Sequence, residues 1–408
     1  MKQLKDMIPY GKHFVDEDDI EAVVEVLRDG WLTQGPKVEE FEKAVANYTG
    51  ANFAVAVSSG TAGLHLACIV ADVKCGTKVV TSANTFVASP NAVLYQGGSP
   101  SFCDIDKNSL NMCVMDLERS LKVSNGVDII MPVHFGGLPC DMQAIKQLSE
   151  RYKALVIEDA SHAFGATYHD GGSVGNCQYS DMTIFSLHPV KGVTSGEGGV
   201  ITTNSEKLYR RLLRLRSHGI CKGNFDLPGI SSGHTDILKY PDEALYKGQL
   251  NPWYYEMQEL GYNYRITDFQ CALALSQMKK FKTFLKRRRA IASAYDDLFS
   301  GCKNISIKQL NRRDSSSLHL YVIEINFERI GKHRAEVMRL LKARNVGTQV
   351  HYIPVPLHPY YAELGFDIKN YPITREYYNN ALSIPIYYGL TDNQTEMVAE
   401  EILNLVDV

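Results

Sequence analysis

The feature that most constrains the fold is an alternation that begins near Asn52, where short apolar runs rich in β-branched residues are separated by longer segments of helical periodicity. This order predicts an α/β domain with a mainly parallel sheet, because parallel strands need long crossover connections that are usually helices. The predicted strands cover residues 52–58, 77–83, 127–135, 154–159, 181–187 and 198–203, and the predicted helices cover residues 62–70, 142–153 and 205–217. The near-continuous apolar runs indicate strands that are buried on both faces.

The second half of the chain predicts a smaller α+β unit. A helical pattern over residues 267–299 leads into it, followed by strands at 319–327 and 347–353 and helices at 333–344 and 392–406. Because single hydrophobic cores stop growing near about 250–300 residues, the 408 residues favour two domains, which we place at residues 1–265 and 266–408. Residues 221–253 have no sustained period, and a loop of this length predicts a role beside the active site.

Composition argues against several classes of protein. The chain has 43 basic and 46 acidic side chains and a net charge of −3, so a polyanion such as nucleic acid is a poor candidate for its main partner. We therefore interpret the basic cluster between Lys279 and Arg289 as a solvated helix face. The long uncharged stretches at residues 53–71 and 79–103 are interrupted by polar residues and glycine, so neither predicts a membrane span.

Cysteine usage and the N-terminus bear on the compartment. The nine cysteines are odd in number and form no C-x-x-C pair, which predicts free thiols in a reducing environment. The first 19 residues carry charges throughout and lack the apolar segment of a signal peptide. We therefore expect a cytoplasmic protein without a membrane partner.

The first chemical signal is the run S-S-G-T-A-G at residues 58–63, where a predicted strand gives way to a predicted helix. The free N–H groups and the positive dipole end of a helix's first turn can bind an anion. Gly60 would let a phosphate approach the backbone, and Thr61 would add a hydroxyl. An ordinary serine cap is the alternative explanation. The run is neither a Walker A loop nor a G-x-G-x-x-G fingerprint, so ATP and NAD lack their motifs.

The second signal is a pair of carboxylates, Glu158 and Asp159, at the end of the strand predicted over 154–159, with His162 shortly after it. Open α/β sheets bind ligands at the carboxyl ends of their strands. A carboxylate there could hold a metal, act as a base or pair with a cationic ring nitrogen. Because the nearby histidines show no ligand spacing such as H-E-x-x-H, we expect no metal.

The third signal is Lys191, which lies between a strand end and a glycine-rich turn. Most lysines are simply exposed on the surface, so this residue alone indicates little. Together with the candidate anion site at residues 58–63 and Asp159, however, Lys191 completes a set of three functional groups. An anion site, a partner for a pyridinium nitrogen and an amine that forms a Schiff base are the groups that hold pyridoxal phosphate.

These motifs resemble those of a known family. The runs E-D-A-S-H at residues 158–162, F-S-L-H-P-V-K at 185–191, G-E-G-G at 196–199, G-Y-N-Y-R at 261–265 and V-H-Y-I-P at 350–354 resemble the DegT/DnrJ/StrS family of pyridoxal-phosphate-dependent sugar aminotransferases. The resemblance covers nearly the whole chain. It implies the aspartate aminotransferase fold (fold type I), with a large domain around a mainly parallel seven-stranded sheet and a smaller C-terminal α+β domain.

The resemblance also implies a role for each matching residue. Lys191 would bind the cofactor as a Schiff base and move a proton, Asp159 would pair with the pyridine nitrogen, His162 would contact the ring hydroxyl, Phe86 would stack on the ring, and Gly60, Thr61 and Ser186 would bind the phosphate. Asn263 is expected to reach the same phosphate from a partner subunit. The implied assembly is a homodimer with shared active sites.

The implied reaction moves an amino group from L-glutamate to a nucleotide-linked keto sugar. Residues 253–260 are most similar to family members that act at C4 of UDP-linked N-acetylhexosamines. Sugar 3-aminotransferases, cyclitol aminotransferases and a non-catalytic regulator with the same fold remain alternatives. The family usually has phenylalanine where this chain has Leu187, and we expect this difference to alter packing without loss of chemistry.

Two sets of contacts stay open at this point. The residues that could bind the donor carboxylate are Arg214, Arg216 and Arg265, and spacing does not choose among them. The candidates for contacts with the sugar or nucleotide are residues 221–253, Tyr352, Tyr387 and Tyr388, for which ordinary packing is an equally good explanation.

Overall fold

The computed structural model describes residues 6–221 and 241–406. The helices are α1 (Glu17–Asp29), α2 (Pro36–Thr49), α3 (Gly60–Val70), α4 (Ala88–Tyr95), α5 (Val114–Val123), α6 (Met142–Tyr152), α7 (Glu206–Arg216), α8 (Pro241–Ala244), α9 (Asp268–Phe299), α10 (Arg334–Ala343), α11 (Pro359–Glu363), α12 (Pro372–Asn380) and α13 (Asp392–Val406). The strands are β1 (Phe53–Val57), β2 (Lys78–Ser82), β3 (Ser99–Cys103), β4 (Ile129–Met131), β5 (Leu155–Asp159), β6 (Met182–Ser186), β7 (Gly199–Thr203), β8 (Ile220–Cys221), β9 (Leu245–Tyr246), β10 (Gln249–Leu250), β11 (Glu256–Met257), β12 (Ile305–Ile307), β13 (Tyr321–Ile325) and β14 (Ala381–Ile384).

A seven-stranded sheet in the order β1-β7-β6-β5-β4-β2-β3 forms the centre of the larger unit. Its pairs are parallel from β6 through β5, β4 and β2 to β3, whereas β7 runs antiparallel to both β6 and β1. This agrees with the mainly parallel seven-stranded sheet that the family resemblance implies. Buried apolar residues cover both faces of the sheet in two clusters, as the continuous apolar runs predict.

The six predicted strands of this sheet are present, each shorter than its apolar run. The largest difference is at residues 127–135, where β4 keeps three residues because Pro132 follows and cannot donate to a ladder. The strand that sequence analysis missed is β3, which pairs with β2 alone at the end of the sheet. It contains Pro100, and proline is tolerated on an edge strand, where one side of the backbone needs no partner.

The smaller unit has a three-stranded antiparallel sheet in the order β12-β13-β14. The strand predicted at residues 347–353 is wrong. In that segment the structure has an isolated bridge between Gln349 and Ser383, and the strand beside β13 is β14. The apolar, β-branched composition of residues 347–353 resembled a strand, but Gly347 packs closely on the backbone of Ile8 and Pro9, which turns this segment toward the N-terminal residues.

The long helix α9 connects the two units. Thr267 caps its first turn in a capping box with Gln270, and the buried carboxylate of Asp268 accepts hydrogen bonds from the amides of Gly35 and Lys37. The prediction of a solvated basic face is wrong at Arg288. That side chain is buried, and its guanidinium donates to backbone carbonyls of residues 318, 319 and 386.

Three further predictions concern the loop at residues 221–253, membrane spans and the domain boundary. Of the loop at residues 221–253, residues 222–240 lie outside the described residues, and the rest contains α8 and a two-stranded ladder of β9 and β10. Within the described ranges, none of the helices combines the length and the apolar composition that a membrane span requires. The placement of the domain boundary at residues 265 and 266 stays a prediction.

Candidate active site

The carboxyl ends of β5 and β6 and the first turn of α3 meet around a cavity of about 340 Å³. Parallel strands place their carboxyl ends on the same edge of a sheet, which is where open α/β folds bind ligands. Seven of the eight site residues named from the sequence line this cavity, namely Gly60, Thr61, Phe86, Asp159, His162, Ser186 and Lys191. Residues separated by more than 130 positions in the chain are thus brought to one place.

One end of the cavity is suited to an anion. Helix α3 begins at Gly60, and Ser59 caps it by accepting a hydrogen bond from the amide of Ala62. The first amides of a helix have no partner within it, so they point outward with the positive end of the helix dipole. A Cβ atom at Gly60 would lie 3.0 Å from Cβ of Ser186 and 3.3 Å from its Oγ, so glycine keeps this hydroxyl next to the helix terminus.

A second close approach supports the same end of the cavity. A Cβ atom at Gly199 would lie 2.5 Å from the carbonyl oxygen of Ser59 and 2.8 Å from the nitrogen of Gly60. Strand β7 therefore packs directly against the turn that starts α3, and a larger residue would push this turn into the cavity. The G-E-G-G run contributes to the site through this packing.

The carboxylate of Asp159 lies at the end of β5 and is 5% exposed. Oδ2 accepts a hydrogen bond of 2.7 Å from the hydroxyl of Ser89, and Oδ1 accepts bonds of 2.6 Å from the hydroxyl and 3.1 Å from the amide of Ser161. These bonds fix the orientation of the carboxylate. Each carboxylate oxygen has two acceptor positions. Those of Oδ1 are both used by Ser161, whereas Oδ2 keeps one position for a donor that enters the cavity.

His162 is buried beside Asp159 and has a defined tautomer. Its Nδ1 accepts a hydrogen bond from the amide of Gly136, so the ring hydrogen lies on Nε2, which is 2.9 Å from the hydroxyl of Tyr352. Burial, together with the charge of Lys191, holds the pKa of His162 well below its ordinary value, so the imidazole is neutral. Because Nε2 donates to Tyr352, the hydroxyl hydrogen of Tyr352 is available for another acceptor.

Lys191 lies in the turn after β6, where its amide donates to the carbonyl of His188. Burial of the ammonium group lowers the pKa of Lys191 to about 8, and the opposing attraction of Asp159 is the smaller effect. Such a depressed pKa makes a lysine amine available as a nucleophile near neutral pH.

Phe86 lines the cavity with 56% of its surface exposed, which is unusual for a phenylalanine in a loop at the sheet edge. Its ring centroid lies 5.8 Å from that of Tyr352. An exposed aromatic face in a cavity suits a flat ring as its partner.

Asn263 is the site residue that does not line this cavity. It is exposed, and its backbone pairs with Ser217 in an isolated bridge. Large apolar side chains with more than half of their surface exposed precede it in the chain, namely Trp253, Tyr255, Met257 and Leu260.

The structure separates the candidates for contacts with the sugar, the nucleotide and the donor carboxylate into residues that line the cavity and residues that do not. Tyr352 lines the cavity, whereas Tyr387 is buried in the core of the smaller unit and Tyr388 packs against Phe14. Neither Arg214, Arg216 nor Arg265 is among the residues that line the cavity. Arg214 pairs with Glu259, and Arg216 pairs with Glu42.

Leu187, the departure from the family pattern, is buried in the core of the larger unit. The cavity is also lined by residues to which the sequence assigns no role, above all Tyr10, His188, His319 and His351. Tyr10 and His319 could not be found, because no motif around them marks a site.

The donor set fits pyridoxal phosphate. The cavity offers an anion site at the start of α3, an aromatic face, a buried carboxylate for a ring nitrogen and a lysine with a depressed pKa. Across the described parts of the chain, His, Cys, Asp and Glu form no group of three that could hold a metal ion.

Comparisons with known proteins agree with this fit. The model of the DegT/DnrJ/EryC1/StrS aminotransferase family matches residues 14–403. The UDP-4-amino-4,6-dideoxy-N-acetyl-β-L-altrosamine transaminase of Campylobacter jejuni is 34% identical over 402 residues, which cover 98% of this chain and 98% of the relative. The UDP-4-amino-4-deoxy-L-arabinose–oxoglutarate aminotransferase of Shewanella sediminis is 33% identical over 411 residues, which cover 98% of each chain.

Solved structures share the fold. Helicobacter pylori PseC, an aminotransferase involved in the biosynthesis of pseudoaminic acid, has a TM-score of 0.86 at 25% identity, with 98% of this chain and 100% of PseC covered. Spr1654 of Streptococcus pneumoniae in its PLP form has a TM-score of 0.84 at 27% identity, with 98% and 99% covered. The fold is that of the type I pyridoxal-phosphate enzymes. The chain belongs to the DegT/DnrJ/EryC1/StrS aminotransferase family and is a pyridoxal-phosphate-dependent sugar aminotransferase.

Proposed function

We propose that this enzyme transfers the amino group of L-glutamate to C4 of a UDP-linked 4-keto-6-deoxy-N-acetylhexosamine. The names of the Campylobacter and Shewanella relatives both describe UDP sugars that carry the amino group at C4. The Shewanella name also contains oxoglutarate, the keto acid that remains when L-glutamate gives up its amino group. These names support the proposal. The main structural observation behind it is that Lys191, Asp159 and the start of α3, which is suited to an anion, line one cavity.

We assign the phosphate of the cofactor to the start of α3, where Gly60, Thr61 and Ser186 would bind it. Phe86 would cover one face of the ring. Pyridoxal phosphate supplies, when bound, an aldehyde that takes up the amino group and a ring that withdraws electrons from the reacting carbon. The carboxylate of Asp159 would accept a hydrogen bond from the ring nitrogen and keep that nitrogen protonated.

Lys191 has two tasks in this proposal, covalent attachment of the cofactor and proton transfer at Nζ. With a pKa of about 8, about a tenth of the amine is unprotonated at pH 7, compared with less than about a thousandth for an ordinary lysine. The same Nζ can then accept a proton from the substrate carbon and return it, which is general base and acid catalysis by one group.

His162 and Tyr352 would contact the ring hydroxyl of the cofactor. The Nε2 hydrogen of His162 is directed to the oxygen of Tyr352, so the tyrosine hydrogen would point toward the ring. Because His162 is neutral, this contact adds no positive charge next to the amine of Lys191.

The active site would be shared within a homodimer, with Asn263 of one chain reaching the phosphate bound to the other. Asn263 is exposed and does not line the cavity of its own chain. The preceding residues Trp253, Met257 and Leu260 expose 74%, 64% and 75% of their surfaces. An exposed apolar group of this kind supports an interface with another chain.

The experiment follows the visible absorption of the purified protein with pyridoxal phosphate, first on addition of L-glutamate and then of the UDP-linked keto sugar. We expect a yellow band that glutamate removes and the sugar restores. Borohydride reduction and peptide mapping of the yellow form should label Lys191. The control variant Lys207→Ala, which changes an exposed lysine of α7, should keep this label on Lys191. A label on another lysine would contradict the assignment of Lys191.

Other outcomes separate the alternatives. A band that glutamate removes but that a 3-keto sugar or a keto cyclitol restores in place of the 4-keto sugar would identify one of the other aminotransferases. A protein that binds the cofactor and reacts with neither substrate would be the non-catalytic regulator.

A further inference from the structure

His319 lies in the active-site cavity and has no part in the cofactor contacts proposed above. It lines the cavity together with Lys191 and His162, and 7% of its surface is exposed. Among the described residues, no group forms a hydrogen bond with its buried Nδ1. Buried polar atoms without a partner are uncommon in proteins. Because the imidazole that carries this atom lines the cavity, a ligand in the cavity is a candidate partner for the ring.

The backbone holds His319 firmly in place. Leu318, the preceding residue, is fully buried and has a φ of 52°, a left-handed conformation that a leucine adopts only when its surroundings impose it. The buried guanidinium of Arg288 donates to the carbonyls of Leu318 and His319 at 3.1 and 3.3 Å. Strain of this kind, supported by a buried cation, is typical of functional positions.

Neighbouring contacts fix the ring itself. The centroid of the His319 ring lies 4.3 Å from that of His162. Ser317, on the same segment, donates from its hydroxyl to the carbonyl of His162 at 2.6 Å. The position of His319 is thus coupled to a residue proposed to contact the cofactor.

The charge state of His319 restricts its partner. Burial and the positive charges of Lys191 and Arg288 hold its pKa well below the ordinary value, so the ring is neutral and presents one donor and one acceptor. The hydrogen-bonding groups of L-glutamate are an ammonium and two carboxylates, which prefer charged partners. A sugar hydroxyl both donates and accepts, and it matches a neutral imidazole.

We propose, on the basis of the proposed function, that His319 is a specificity-determining residue which hydrogen bonds with the sugar hydroxyl next to the carbon that receives the amino group. In a UDP-linked 4-keto-6-deoxy-N-acetylhexosamine, C1 carries the nucleotide, C2 the acetamido group and C4 the ketone. The free ring hydroxyl is therefore at C3, beside C4.

The test measures the two half-reactions separately in stopped-flow experiments on the loaded enzyme. The variant His319→Phe keeps an aromatic ring beside His162 and removes both ring nitrogens, whereas His319→Asn keeps a donor and an acceptor. The control His169→Asn changes an exposed histidine outside the cavity. The acceptors are the UDP-linked 4-keto-6-deoxy-N-acetylhexosamine and its 3-deoxy analogue.

We expect His319→Phe to leave the half-reaction with L-glutamate within about twofold of the wild type and to slow the half-reaction with the sugar by about tenfold or more, because a buried hydrogen bond to the substrate is lost. His319→Asn should recover part of this rate. With the 3-deoxy analogue, the wild type should be as slow as His319→Phe, and the variant should lose nothing further.

Three results would overturn the proposal. The first is an equal loss in both half-reactions, which would place His319 with the cofactor or the scaffold. The second is an unchanged rate with the sugar in His319→Phe. The third is an equal discrimination against the 3-deoxy analogue by the wild type and the variant. If the wild type itself fails to react with the sugar, the proposed acceptor is wrong, and this result is distinct from the other three.

Discussion

Two carboxylates that are neighbours in β5, Glu158 and Asp159, occupy opposite faces of the same strand. Both are buried, at 0% and 5% exposure. Glu158 lies in the protein core, where it accepts hydrogen bonds from Nε2 of His134 at 2.6 Å and from the hydroxyls of three further residues, Tyr168, Ser180 and Thr183. Asp159 lies at the cavity, where two serines are its side-chain partners.

The difference shows how a protein separates a structural carboxylate from a functional one. The oxygens of Glu158 have their acceptor capacity filled by protein donors, which holds its pKa below the ordinary value although burial alone would raise it. Asp159, which lines the cavity, keeps one unused acceptor position, on Oδ2. The number of protein donors around a buried carboxylate therefore indicates whether it awaits a ligand.

Removing the charge of Asp159 should have the largest effect on catalysis. In Asp159→Asn, Ser89 and Ser161 can still hydrogen bond with the amide, so the fold should be retained. Without a negative charge the ring nitrogen of the cofactor loses its stabilising partner, and we expect amino transfer to fall by about 10² to 10³-fold. Steady-state kinetics and the melting temperature measure the two effects. A variant with near-normal activity would show that Asp159 does not pair with the cofactor.

The matched change on the other face, Glu158→Gln, should affect stability first. The donors around Glu158 lose a charged acceptor, and we expect the free energy of unfolding to fall by about 2–3 kcal/mol. Urea unfolding of the apoprotein measures this loss, and activity per folded molecule at low temperature should stay within a few-fold of the wild type. If activity falls as far as in Asp159→Asn while stability is kept, the distinction between the two faces is wrong.

The same two residues show what the sequence can and cannot predict. The run L-V-I-E-D marks a strand that ends in carboxylates, and period-two alternation places them on opposite faces, but it does not say which face is the cavity. Lys191 and Asp159 could be predicted because each stands at a strand end beside a glycine turn or polar run. The motif resemblance adds Phe86 and Ser186, which line the same cavity, and their roles toward the cofactor stay predictions.

Other features depend on tertiary contacts that no local pattern contains. The edge strand β3 was missed because Pro100 interrupts a short apolar run, and residues 347–353 were assigned to a strand because the contact of Gly347 with Ile8 lies 339 positions away in the chain. His319 is held at the cavity by the buried Arg288 and by the left-handed backbone of Leu318. The hydrophobic periodicity of the sequence predicts neither feature.

Asn263 tests whether a residue of a second chain completes the cavity in which Asp159 lies. Loss of a hydrogen bond to a charged phosphate in Asn263→Ala should weaken retention of the cofactor by about 20-fold. Dialysis against buffer with spectroscopic titration measures retention, and sedimentation confirms the oligomeric state. Asn304→Ala, a change at an asparagine near the chain's C-terminal helix, is the control. Unchanged retention in a stable dimer would reject the role of Asn263.

The smallest expected effect concerns the pH at which the amine of Lys191 reacts with the cofactor. Because burial lowers the pKa of Lys191 to about 8, the unprotonated amine becomes abundant at a lower pH than in an exposed lysine. The rate at which the apoprotein captures pyridoxal phosphate should rise about tenfold from pH 7 to pH 9 and then level off. Stopped-flow absorbance measures this rate, with a lysine peptide as the reference whose rate keeps rising toward pH 10. A protein rate that rises in parallel with the rate of the peptide would mean that the cavity does not depress the pKa of Lys191. The contrast between Glu158 in the core and Asp159 at the cavity would then rest on their hydrogen bonds alone.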